Sequence, residues 1–293
     1  MRFLAYCGGA GEVISSAWAE FGASIGETVE DKGGNMTDIF DTHAHYDDKA
    51  FDEDRETLLD SLPEQGIARV VNVGASLASC RRTVELMDRY DYIYGAIGVH
   101  PSKTGELDEE NFGQLRRMCG AEKCVAIGEI GLDYYWKEPE REIQKKWFPR
   151  QLQLAREVGL PVVIHSRDAA RDTVDILESE KAGEIGGVIH CYSYTRETAK
   201  RFLDMGFYFG IGGVLTFQNA RKLREAVEYI PLDRIVLETD SPYLAPVPYR
   251  GKRNSSLNLP YVAAALAQVK GISEEEARRA AWENSLKLYR LND

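Results

Sequence analysis

The chain contains five histidines, His43, His45, His100, His165 and His190, and each one follows a short apolar run rich in β-branched residues. His43 and His45 leave the run 39–42, His100 follows 93–99, His165 follows 161–164 and His190 follows 187–189. Two acidic residues stand in the same kind of place, Glu129 near the end of 124–130 and Asp240 just beyond 234–237. Neutral imidazoles gathered with carboxylates are ligands for divalent metal ions. Residues two apart on a strand share a face, so His43 and His45 point the same way. A carboxylate has two oxygens, so Glu129 can bridge a pair of ions. Two ions a few ångströms apart would activate one water and clamp the leaving oxygen of a displacement.

Around these candidates several residues keep more than one reading. His100 precedes Pro101 and either contacts a substrate phosphate, orients a neighbour or fills space; we carry it as a substrate contact. Asp41 shares a face with His43 but lies deeper, and reads as an interior carboxylate hydrogen-bonded to neighbouring strands. Glu238 stands in the same relation to Asp240, and either orients a ligand or faces substrate. Cys191 reads as a buried thiol rather than a nucleophile. Tyr134, Tyr135 and Trp136 either stack bases or cover the helix below.

Such a set of ligands needs strands whose ends converge. Eight apolar runs recur between Met36 and the C-terminus: 39–42, 69–73, 93–99, 124–130, 161–164, 187–189, 207–211 and 234–237. Their repeat of about 32 residues is that of a strand, a helix and their turns. Amphipathic stretches over 140–158, 198–205 and 218–229 predict helices between them. Gly66, Gly159, Gly183 and Gly206 sit where helices should stop. Two further helices are expected over 260–269 and 274–289, the second capped by Ser273. The expected fold is α/β, a (β/α)8 TIM barrel forming a single domain over 36–293. A doubly wound open sheet is the alternative, but the glycines at 8–11 follow no strand and so are not its phosphate loop. In a barrel the C-terminal strand ends carry the chemistry, and all five histidines fall there.

Residues 1–35 differ from the rest, being rich in Gly, Ala, Ser and Glu. A flexible tail, a small accessory helix over 14–19 and an upstream mis-assigned start all fit. The last is preferred, because codons for Lys32-Gly33-Gly34 can spell a ribosome-binding sequence just before Met36. A segment this polar is expected to stay flexible.

Composition bounds the function. Hydrophobic residues at 44% and charged residues at 28% are those of an ordinary globular protein. No apolar run approaches the roughly 20 residues that span a membrane. Five cysteines without a C-x-x-C pair suggest reduced thiols and a cytoplasmic setting. The net charge of −11 excludes broad electrostatic gripping of nucleic acid, but leaves room for a local cationic pocket built on metal ions.

Seven ordered motifs carry a family resemblance: Asp-Thr-His-Ala-His at 41–45, Gly-Val-His-Pro at 98–101, Gly-Glu-Ile-Gly-Leu-Asp-Tyr-Tyr at 128–135, Ile-His-Ser-Arg at 164–167, Ile-His-Cys-Tyr-Ser at 189–193, Gly-Gly-Val-Leu-Thr-Phe at 212–217 and Glu-Thr-Asp-Ser-Pro-Tyr-Leu at 238–244. From Met36 onward the chain resembles the TatD family of metal-dependent deoxyribonucleases, within the amidohydrolase superfamily. The resemblance implies two divalent ions, one held by His43, His45, Glu129 and Asp240, the other by Glu129, His165 and His190. Magnesium, manganese and zinc all suit such donors. It further implies cleavage of DNA phosphodiester bonds from 3′ ends of short single strands, with Asp240 as base and Glu129 as bridging ligand. Tyr134, Arg167, Arg250, Lys252 and Arg253 are the expected substrate contacts. The last three belong to a loop that otherwise reads as a solvated surface segment. Tyr194 stands where many relatives have glycine, which would narrow the mouth. The same ligands suit a hydrolase of a small phosphoester, lactone or amide. A non-catalytic scaffold is disfavoured by the complete ligand set. No obligate protein partner is expected.

Overall fold

The computed structural model describes residues 38–292, so the expectations for 1–35 lie outside the described residues. Along the chain, strands and helices alternate: β1 Ile39–Ala44, α1 Arg55–Ser61, β2 Ile67–Val73, α2 Leu77–Arg89, β3 Ile93–Ala96, α3 Glu109–Met118, β4 Cys124–Asp133, α4 Arg141–Val158, β5 Val162–Arg167, α5 Ala170–Ser179, β6 Gly187–Ile189, α6 Arg196–Asp204, β7 Tyr208–Ile211, α7 Arg221–Tyr229 and β8 Ile235–Leu237. Two more helices, α8 Leu259–Lys270 and α9 Glu274–Tyr289, complete the chain. The strands lie in sequence order, each parallel to the next. A bridge between Ala44 and Ser241 joins the far edges. Beside it the N–H groups of Thr239 and Asp240 donate to the His43 carbonyl at 3.3 and 2.9 Å. The result is the (β/α)8 barrel expected from the alternation.

Two apolar layers follow from the period-2 pattern of the strands. Val163, Val188 and Val236 belong to a small inner cluster with Phe40, Val71 and Val73. Their chain neighbours Val162, Ile164, Ile189, Ile235 and Leu237 pack outward with helix residues such as Trp147, Phe202 and Leu266. Two residues beyond the inner valines come His165, His190 and Glu238, so the same face carries the chain from barrel core to functional end. The opposite end is plugged by α9. Phe40 lies 5.9 Å from the Trp282 ring and 6.0 Å from Tyr289, and the Tyr289 hydroxyl donates to the Thr42 carbonyl at 2.8 Å.

Helix ends largely follow their local signals. Ser273 caps α9 by accepting from the Glu276 N–H, and Gly159 ends α4 at a φ of 72°. Gly183 is different: α5 has already stopped at Ser179, and the glycine lies inside a 3-10 turn over Ala182–Glu184. The left-handed residue there is Lys181, at a φ of 50°. Strand β4 runs three residues past the apolar run, because Gly131, Leu132 and Asp133 keep pairing with His165, Ser166 and Arg167. Strand β3 stops at Ala96, short of the apolar run to 99. Among the described residues no helix is long and apolar enough to cross a membrane.

Candidate metal centre

Two irregularities in the sheet aim the principal ligands. In β1, Asp41 pairs with Val70 and Ala44 with Asn72, so one extra residue is inserted beside His43. In β4, Ile127 pairs with Val162 and Ile130 with Ile164, which inserts one extra residue at Gly128–Glu129. Such bulges re-aim a side chain that strict alternation would place elsewhere. Here they turn His43 and Glu129 to a common point. The Nε2 atoms of His43 and His45 come within 3.1 Å of each other. Glu129 Oε2 lies 3.7 Å from both. Asp240 Oδ1 lies 3.8 Å from His43 Nε2 and 3.4 Å from His45 Nε2.

The imidazoles are oriented by groups behind them. His45 Nδ1 sits 2.7 Å from the Val73 carbonyl, which can only accept, so that nitrogen carries the proton and Nε2 offers its lone pair. His190 Nδ1 lies 3.1 Å from Glu238 Oε1 as a charge contact outside hydrogen-bond geometry, and its Nε2 faces Glu129 and Asp240, each at 3.7 Å. His43 Nδ1 is buried without a hydrogen-bond partner. Its ring is held instead by stacking on His190, 3.5 Å between centroids with a 15° tilt. Glu238 also accepts the Cys191 N–H at 2.6 Å. Space for its carboxylate exists because β7 offers Gly210, where a Cβ would fall 2.0 Å from Oε2.

On the other side of Glu129, Oε1 meets His165 Nδ1 at 2.7 Å. The second nitrogen of His165 lies 3.1 Å from Asp133 Oδ2. His100 completes this side, its Nε2 3.8 Å from Glu129 Oε1 and its ring edge-on to His165 at 4.3 Å. His100 Nδ1 accepts the Ser102 N–H at 3.1 Å, so its proton resides on Nε2, facing the centre.

These donors fit metal ions. Two imidazole nitrogens on a tetrahedral zinc lie about 3.3 Å apart, and His43 and His45 show 3.1 Å. Charge gathers accordingly. Burial would raise the Glu129 carboxyl, but His100, His165 and His190 outweigh it and hold the group well below the usual carboxylate range. Burial opposes charge on His45, yet Asp240 and Glu129 lift it to about 9. Glu238 and Glu129 lift His190 to about 10 against the same burial. Burial instead drives His43 well below its ordinary value and His100 down to about 3.

A family model described as TatD related DNase matches residues 40–290. The chain belongs to the TatD family. It is 42% identical over 254 residues to YabD of Bacillus subtilis, described as an uncharacterized metal-dependent hydrolase, covering 87% of this chain and 100% of that one. With YcfH of Escherichia coli, also described as a metal-dependent hydrolase, it is 37% identical over 257 residues, covering 87% and 96%. Among solved structures, the TatD homologue YjjV of Escherichia coli shares the fold with a TM-score of 0.82 at 29% identity, covering 87% of this chain and 98% of that one. A TatD family hydrolase from Entamoeba histolytica gives 0.79 at 25% identity, covering 87% and 99%. This TatD-family barrel is therefore a metal-dependent hydrolase.

In this TatD-family chain the six expected ligands, His43, His45, Glu129, His165, His190 and Asp240, all come together at one point. The expected substrate contacts are more dispersed. The Tyr134 hydroxyl donates to Asp172 Oδ2 at 2.7 Å and its ring is covered by Arg141 at 4.2 Å, so both of its functions are engaged. Arg167 is exposed, its guanidinium 3.8 Å over the Tyr135 ring. Arg250 rests 4.3 Å over Phe217, and Lys252 lies 5.6 Å over Tyr249. Arg253 forms a two-pronged pair with Asp54 at 2.7 and 2.5 Å, and Asp54 is held below the usual carboxylate range by that pairing. The Tyr194 hydroxyl contacts Ser166 Oγ at 2.9 Å and accepts the Ala169 N–H at 3.3 Å, which ties it to the end of β5. Asp41 is the interior carboxylate expected, and burial lifts it to about 7 despite four donors. Cys191 is half-buried rather than fully buried, and desolvation pushes its thiol far up. Asp133 had no assigned role in the sequence reading. It sits four residues after Glu129 on the same strand, an even separation that lets both carboxylates reach the two nitrogens of His165.

Proposed function

We propose that this barrel hydrolyses DNA phosphodiester bonds with two divalent ions, acting from the 3′ end of single strands. One observation carries the two-ion reading. Glu129 presents its two oxygens to different imidazole pairs, Oε2 to His43 and His45 and Oε1 to His165 and His190. One ion would be held by His43, His45, Glu129 and Asp240, the other by Glu129, His165 and His190. Magnesium, manganese or zinc bound there would supply Lewis-acid activation of water and charge neutralisation on the phosphate.

The chain's own groups then have defined tasks. Asp240 Oδ1 reaches toward His45 and His190, and its side chain keeps 18% exposure, so it can take the proton of the attacking water and pass it to solvent. His100 Nε2–H points into the centre and can donate to a phosphoryl oxygen. Arg167, exposed at the end of β5, is available to a strand phosphate. The net charge of −11 favours a strand end held by local cations over a duplex held along its length. The four cysteines described, Cys80, Cys119, Cys124 and Cys191, are free thiols, which supports a reducing, cytoplasmic setting.

The test is to strip metal from the protein and restore magnesium, manganese or zinc. Single-stranded DNA labelled at either end is then digested beside Glu129→Ala and Asp240→Asn. Metal-dependent shortening from the 3′ end, lost in both variants, is expected. Turnover of small phosphoesters, lactones or amides with DNA left intact would replace this reading with a small-substrate hydrolase. No retained metal and no turnover would end both.

A further inference from the structure

The loops after β3 and β4 line an open surface depression of about 760 Å³, bounded by Ser102, Lys103, Tyr135, Trp136, Lys137 and Glu138. We propose that it is a base-stacking subsite for the nucleotide adjoining the scissile phosphate, with Trp136 as the platform and Lys103 and Lys137 as its phosphate contacts. The proposal rests on the nuclease reading above and extends it to residues outside the metal centre.

The first support is exposure. Tyr135 and Trp136 are each 55% exposed, more than any other large hydrophobic side chain described. Adjacent exposed aromatics on a barrel rim mark a binding surface. Their rings meet edge to face, 4.8 Å apart at 90°. Arg167 covers Tyr135 at 3.8 Å. Trp136 meets no cation and no ring but Tyr135 among the described residues, so a face of its indole remains open.

Charge is the second support. Lys103 and Lys137 are exposed and form no ion pair among the described residues. Within the lining these two ammonium groups stand against one carboxylate, Glu138, and Arg167 adds a third cation over Tyr135, whose N–H is held by Asp133. An open indole face flanked by unpaired ammonium groups is the arrangement that takes a nucleobase and its neighbouring phosphates.

Third, both walls are tied to the metal centre. Lys103 rides on the 3-10 turn Pro101–Glu106, whose cap is His100. The Tyr135 N–H donates to Asp133 Oδ1 at 2.9 Å, while Asp133 Oδ2 lies 3.1 Å from His165 Nε2. The Tyr134 N–H donates to the Arg167 carbonyl at 2.9 Å. Trp136 is three residues from Asp133, at most about 10 Å along the chain, within reach of a neighbouring nucleotide.

Stacking is indifferent to base identity but requires a base. The experiment uses full-length Asp240→Asn in excess manganese, chosen because loss of the proposed base should stop turnover. Two fluorescein-labelled eight-nucleotide strands are compared by anisotropy: oligothymidylate, and the same strand with three abasic residues at its 3′ end. Trp136→Ala is expected to weaken oligothymidylate binding about tenfold and to leave the abasic strand unchanged. Trp136→Phe should restore most of the loss. Lys103→Gln with Lys137→Gln should weaken both strands and reduce the salt dependence by one to two released counterions, about 0.7 in slope for each. Equal oligothymidylate binding by Trp136→Ala and its parent overturns the subsite. If the parent chain carrying Asp240 cleaves DNA but Trp136 is dispensable, the subsite falls and the nuclease reading stands. If binding depends on Trp136 but DNA is never cleaved, Trp136 remains a base-stacking platform, while the nuclease reading and the placement beside a scissile phosphate fall.

Discussion

Thr239 donates twice to Asp41, through its N–H to Oδ1 at 3.1 Å and through its hydroxyl to Oδ2 at 2.7 Å. The two residues lie 198 apart in sequence, and their contact clips β1 to the chain leaving β8, where a regular strand ladder is lacking. Ser256 adds its hydroxyl to Oδ2 at 2.6 Å, and the His43 N–H reaches Oδ1 at 3.2 Å. Asp41→Ala would leave these buried donors without an acceptor. We expect it to cost roughly 3 kcal/mol or more, and Ser256→Ala roughly 1 kcal/mol. Urea unfolding of the metal-free chain measures both. A loss below 1 kcal/mol for Asp41→Ala would show that the seam is held elsewhere.

Glu238 should control the second metal site without contacting substrate. It faces His190 Nδ1, and its carboxylate fits only because Gly210 lacks a side chain. Removing such a partner of a ligand typically lowers metal affinity 10- to 100-fold. Glu238→Gln is expected to do so by removing the negative charge that faces His190. Gly210→Ala should do so by displacing the carboxylate. Metal titration followed by elemental analysis reads the change in affinity and stoichiometry, and full retention of both ions in the two variants would refute the coupling.

Metal should also stabilise the fold. An ion at 100 times its dissociation constant adds about 2.7 kcal/mol to a native state that alone binds it. For a chain of this size that corresponds to a melting shift of roughly 4–5 °C. Chelation should reverse it. Glu129→Ala, which removes the carboxylate shared by both imidazole pairs, should abolish the response. A metal-induced shift of equal size in Glu129→Ala would place the stabilising ion somewhere else.

Trp147 on α4 is 2% exposed and packs between helix and barrel against Phe112, 5.5 Å between ring centroids. Trp147→Ala is expected to cost about 3–5 kcal/mol, the range for a large aromatic removed from a packed core. Calorimetry of the purified variant checks this. Its metal ligands, carried by strands, should be spared at temperatures where the barrel remains folded.

Much of this molecule was determined by its sequence alone. Apolar runs alternating with amphipathic stretches are local signals, and they implied eight strands, their order and a closed parallel barrel. Placing all five histidines and two acids at strand exits followed from the same alternation, since the C-terminal ends of parallel strands converge. Composition excluded a broad basic surface. What the tertiary structure decided depends on partners distant in sequence or on a single inserted residue. The bulges beside His43 and at Gly128–Glu129 appear only when β1 and β4 are paired with their neighbours. The proton position on His45 depends on Val73, and the charge facing His190 comes from Glu238, both of which arrive from other strands. Arg253 could not be assigned to Asp54 from sequence, because 199 residues separate them and the closing barrel makes them adjacent. Tyr134 and Trp136 are near neighbours of the same residue class. Only packing distinguishes them, leaving Tyr134 bound to Asp172 and Trp136 open to solvent. A side chain's type and strand position are written locally, but its partner and its exposure are set when the sheet closes.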